Sequence, residues 1–128
     1  MAEPEFYARV SARAGVSEES ARALTEATLR TLAERISGGE AADLSEHVAH
    51  ELRPLLARAR VEDPQAFGYD EFLRRIAERA GATPADAERG ARAVLQALHR
   101  VVGPAEFNRA MAQLPREIGE LAQPAPRV

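Results

Sequence analysis

Apolar side chains return every fourth residue near the start of this chain, at Phe6, Val10 and Ala14, and the same stripe reappears at Phe72, Ile76 and Ala80. That spacing predicts one helix over about 4–14 and another over about 69–80. Gly15 and Gly81 stand just past them, where a left-handed residue closes a helix and a missing Cβ removes the steric penalty. A second helix then starts in each place. Ser17 offers an N-cap followed by Glu18 and Glu19, and Thr83 offers one followed by Pro84 at the first helical position and Asp86 at the third. The apolar faces are Leu24, Thr28, Leu29, Leu32 and Ile36 in the first, and Ala87, Ala91, Val94, Leu95, Leu98 and Val102 in the second. Ser37-Gly38-Gly39 and Gly103-Pro104 break the chain at matching places. Third helices are expected over about 40–48 and 104–113, with Glu40 and Glu106 in their first turns, favourable to the helix dipole. Leu114-Pro115 ends the later one, whereas the earlier has Val48-Ala49 there, and continuation or a kink both stay open. Short last helices carry Leu52, Leu55 and Leu56, and Ile118 and Leu121.

The two runs are copies. Residues 6–56 moved along by 66 positions fall on 72–122 without a gap, with 12 of 51 pairs identical, among them Arg9/Arg75, Arg13/Arg79, Leu29/Leu95 and Glu40/Glu106. A fixed period of this kind defines the structural unit. Each copy, at some 50 residues, is too small to offset its own chain entropy comfortably, so the two should share one core. The expected fold is all-α: a pseudo-two-fold bundle of six to eight helices built from two tandem repeats. The expected boundaries are a single domain over 1–122, with repeat one at 4–58, a connector at 59–68 and repeat two at 69–122, then a disordered tail at 123–128.

Composition narrows the function classes. The net charge of −3 gives no overall basic footprint for nucleic acid. The absence of cysteine excludes disulfides and thiolate metal sites and suits a reducing, cytoplasmic setting. The acidic start, Met1-Ala2-Glu3-Pro4-Glu5, lacks the apolar run of a signal peptide, and no stretch has the roughly 20 apolar residues of a membrane span.

Candidate chemistry is sparse. Glu46-His47-Val48-Ala49-His50-Glu51 sets two histidines three apart beside carboxylates, a zinc or nickel donor set if His47 and His50 share a helix face. Against it, the order is not His-Glu-x-x-His, and the second copy has Gln113 and Arg116 at the two places. Solvated surface histidines, and no metal or cofactor, are the plainer expectation. His99 reads as a boundary residue. No Ser-x-Gly elbow or phosphate loop is present, and a hydrolase built on Glu46–Glu51 is the weakest of the functional readings. All 17 basic residues are arginine. Arg9 and Arg13 form an i, i+4 pair that Arg75 and Arg79 repeat in register. Salt bridges to acids of the other copy, such as Glu40 and Glu106, are the structural expectation. The functional one is an Arg stripe, joined by Arg92 and extended by Arg74, Arg89, Arg58 and Arg60, that binds a nucleotide, RNA or an acidic protein. Too few aromatics are present for base stacking.

The run Phe72-Leu73-Arg74-Arg75-Ile76-Ala77-Glu78-Arg79-Ala80-Gly81, with Ala91–Leu98, Gln113-Leu114-Pro115 and Ile36-Ser37-Gly38-Gly39-Glu40-Ala41, resembles the bacterial domain-of-unknown-function family 2267 over nearly the whole chain. The resemblance implies an all-helical two-repeat domain and transfers no activity, cofactor or site residue. Val48-Ala49 departs from the Leu-Pro of that pattern. The sequence thus favours a non-enzymatic helical module that binds another protein, or itself, through an apolar or Arg-lined groove between repeats. The alternative is a small-ligand or nucleotide-binding domain with an Arg-lined pocket at the seam.

Overall fold

The computed structural model describes residues 3–56 and 65–123. They form eight α-helices: α1 (Glu3–Ala14), α2 (Glu18–Arg35), α3 (Gly38–Ser45), α4 (Arg53–Leu56), α5 (Tyr69–Ala80), α6 (Pro84–Val102), α7 (Pro104–Met111) and α8 (Arg116–Glu120). A 3-10 turn at His50–Leu52 leads into α4, and no strand occurs among the described residues. The expected signals act where the sequence has them. Gly15 and Gly81 take φ of 68° and 64°, a conformation that costs a residue with a Cβ about 1–2 kcal/mol. The Ser17 and Thr83 hydroxyls accept from the backbone N–H of Ser20 and Asp86, each at 3.1 Å, and so cap α2 and α6.

The third helices are shorter than their periodicity suggests. α3 ends at Ser45 because Val48 turns inward to near-complete burial. The chain tightens to do so, with Glu46 N–H donating to Asp43 O and His47 N–H to Leu44 O. The break left open at Val48-Ala49 is therefore real. α7 likewise ends at Met111, and Gln113 and Leu114 follow in three-residue hydrogen bonds. Of the expected connector and tail, positions 59–64 and 124–128 lie outside the described residues.

α2 and α6 form the middle of the molecule. α2 packs on α1, α5 and α6, α6 packs on α1, α5 and α7, and α3 lies against α7. Phe6, Val10, Leu29, Leu32, Phe72, Ile76, Leu95 and Leu98 are all essentially buried in one cluster that draws on both halves, each large side chain contributing about 1.5–3 kcal/mol. The two long helices approach closely at Gly90, where an added Cβ would stand 2.7 Å from the Leu24 Cδ2 atom. α2 also buries Thr25, Thr28 and Thr31. Thr25 and Thr31 return their hydroxyls to Ala21 O and Ala27 O at 2.7 Å, while the Thr28 hydroxyl has no partner.

Candidate functional site

The repeated arginine pairs meet different surroundings. On α5, Arg79 donates to Glu34 of α2 through Nη1 at 2.7 Å and Nη2 at 2.8 Å, and Arg75 adds a bond to the same carboxylate at 3.2 Å. Arg79 also donates to the Thr31 hydroxyl at 3.0 Å, and the Arg75 guanidinium lies 4.0 Å above the Phe67 ring. The Glu34 side chain is 6% exposed. Burial pushes its carboxyl up, but the hydrogen bonds and charges of Arg79 and then Arg75 outweigh that and hold it below the ordinary carboxylate range. The hydrogen bond from Arg79 to Glu34 correspondingly raises the guanidinium. The ion pairs expected between copies do form here, with Glu34 as the acid in place of Glu40 or Glu106. Arg35, which the periodicity did not single out, ties the same region together. Its Nε donates to Phe67 O at 2.9 Å and its Nη1 to Gln113 O at 3.0 Å.

Arg9 and Arg13 have no such acid. Sixty-six positions before Arg100 the chain has Glu34, so at the place where α2 carries its carboxylate, α6 carries a third arginine. Arg13 donates to the Gln96 side chain of α6 at 2.8 Å. One turn along each helix from that contact are Arg9, half-buried, and Arg100, exposed. Among the described residues no carboxylate pairs with Arg9, Arg13 or Arg100. Arg92 stands two turns before Arg100 and reaches Glu88 of its own helix at 3.8 Å. Arg74 is drawn to Glu71 and Glu78 on α5, and Arg89 pairs with Asp86. Arg58 and Arg60 lie outside the described residues. Of the stripe suggested by the sequence, the α5 arginines are thus ion-paired, whereas Arg9, Arg13 and Arg100 on α1 and α6 carry no such pair among the described residues.

The histidines do not converge. His47 is in the turn after α3 and His50 opens the 3-10 turn, both exposed, so they share no helix face. His99 is half-buried and stacks on Phe107, ring centroids 4.5 Å apart. A concavity of about 500 Å³ lies beside the Glu34 cluster, with Glu26, Arg30, Glu34 and Arg79 on its wall. Two carboxylates there match two guanidinium groups, which gives an anion no net positive lining.

Helices alone among the described residues, arranged about α2 and α6, define an all-α protein. The chain belongs to the family described as Uncharacterized conserved protein (DUF2267), whose model matches residues 3–121. No curated protein matches it. No helix among the described residues is long and apolar enough to cross a membrane.

Proposed function

We propose that this chain is a non-enzymatic helical module that binds an acidic segment of a partner protein across the α1/α6 face bearing Arg9, Arg13 and Arg100. The observation that carries the reading is the substitution of Arg100 where the other copy has Glu34. The same arginine pair is consumed by an internal carboxylate in one half and left without one in the other. Three like charges on neighbouring helices raise the local positive potential, which draws an acidic partner. Guanidinium groups suit carboxylates, which they grip in bidentate fashion. Nucleic acid fits less well, because the net charge is −3 and the face carries no aromatic stacking platform.

The two halves are read as one domain with an approximate two-fold relation. Support comes from α1 lying against α6 as α5 lies against α2, and from Leu24 meeting Gly90, the residue 66 positions on. The small-ligand reading draws on the concavity beside Glu34, whose balanced charges favour it less. The test is capture of partners from native lysate, nuclease-treated, on immobilised wild-type chain and on Arg9→Gln/Arg13→Gln/Arg100→Gln. An acidic protein retained by the first and lost from the second is expected. Equal retention by both, or retention that nuclease abolishes, would overturn the reading.

A further inference from the structure

Ser37-Gly38-Gly39-Glu40 has the spacing of a capping box, in which the third-position glutamate returns to accept the N-cap residue's own N–H. Only half of the box forms. The Ser37 hydroxyl accepts from Glu40 N–H at 3.2 Å, but the Ser37 N–H donates to the Gln113 side chain at 2.8 Å. The Glu40 carboxylate is left over. It is 5% exposed, and its Oε1 has no hydrogen-bond partner. Glu106, the equivalent residue of α7, is released in the same way, because the Gly103 N–H is taken by His99 O. Its Oε1 accepts from Arg109 at 3.2 Å, and its Oε2 is buried without a partner. The contact of α3 with α7 brings the two glutamates together. Asp43, one turn along α3 and exposed, completes a set in which one carboxylate oxygen from each residue lies within 4.8 Å of the other two.

We propose that Glu40, Asp43 and Glu106 bind a divalent cation of calcium's size, with water filling the remaining positions. Glu40 and Glu106 each carry a buried carboxylate oxygen lacking any donor, a third acid stands beside them, and among the described residues Arg109 is the cation paired with the group. A bound cation supplies what the fold withholds from them. The donors are all hard oxygens, which suits calcium, magnesium or manganese and not the softer metals. Calcium takes about six to eight oxygens in flexible geometry, whereas magnesium demands a near-ideal octahedron, so three carboxylates fixed by the packing of two helices suit calcium better. Asp43 at the rim gives the ion a route from solvent. Burial, followed by the charges of Asp43 and Glu106, pushes the Glu40 carboxyl up against the opposing pull of Arg109.

Calorimetric titration of the full chain, freed of metal by chelation, with calcium, magnesium and manganese salts tests this. One equivalent of calcium is expected to bind, more tightly than magnesium, and to raise the unfolding temperature. Asp43→Asn, at an exposed position, should weaken binding at least about tenfold, and Glu40→Gln should abolish it while raising the unfolding temperature of the metal-free chain. No heat with any of the three ions up to millimolar concentration would overturn the site. In that case the unpartnered Glu40 carboxylate is a burial cost only, and Glu40→Gln alone accounts for a stability gain. Calcium binding that both variants leave unchanged would overturn the assignment to these residues.

Discussion

Replacing Glu34 by Gln removes a charge while keeping the side chain's shape, and the consequence can be worked from the cluster's geometry. The carboxylate accepts two short bonds from Arg79, at 2.7 and 2.8 Å, and a longer one from Arg75 at 3.2 Å. Breaking a fully buried pair costs about 3–5 kcal/mol, and exposed pairs contribute about 0.2–1 kcal/mol. Glu34 is 6% exposed, but Arg75 and Arg79 keep 20% and 36% of their side-chain surface. Both cations therefore retain hydration, and the cost belongs between the two ranges, at about 2 kcal/mol. For a chain of this length that is a fall of roughly 6–10 °C in unfolding temperature. The acid dependence has a definite sign. A carboxyl whose folded pKa is lowered contributes stability that is present above its unfolded pKa and lost as pH falls through the folded one. Urea unfolding should show the full difference between wild type and Glu34→Gln near neutral pH. The difference should shrink once the pH drops below the ordinary carboxylate range. A variant as stable as wild type at neutral pH, or a difference that does not change on acidification, would refute the reasoning.

Gly90→Ala gains about 1 kcal/mol of helix propensity but drives a Cβ to 2.7 Å from a buried Leu24. Overpacking costs about 1–3 kcal/mol, so a net loss of about 1 kcal/mol in urea unfolding is expected, relieved when Leu24→Ala is combined with it. Thr28→Val should instead stabilise by about 1 kcal/mol, because it removes a buried hydroxyl that has no partner. Thr25→Val, whose hydroxyl bonds Ala21 O, should give no gain in the same assay.

The helix order was legible because local signals decide it. Gly15, Gly81, Ser17 and Thr83-Pro84 act through the backbone next to them, and the apolar spacing names the buried face of α2 and α6. What the spacing could not supply was which side chains meet across helices. Glu34 went unnoticed because the repeat offers Arg100 in its place, so matching copies hid the acid that pairs with both Arg75 and Arg79. His47 and His50 looked like neighbours on a helix, but burial of Val48 ends α3 at Ser45. Glu40 and Glu106 read as favourable first-turn charges. That they face each other depends on the α3/α7 contact, and their freedom depends on Gln113 claiming the Ser37 N–H. Neither is written in a local pattern.

On the proposed reading, matching arginine pairs hold the fold in one half and serve an outside partner in the other. Thermal unfolding of two parallel double variants tests it most directly. Arg75→Gln/Arg79→Gln should lower the unfolding temperature, since it removes both guanidinium groups from the buried Glu34 carboxylate. Arg9→Gln/Arg13→Gln should leave it unchanged or raise it slightly, since it relieves repulsion with Arg100 and gives up only the exposed bond to Gln96. Equal losses from both variants would contradict the account by making the α1 pair structural as well.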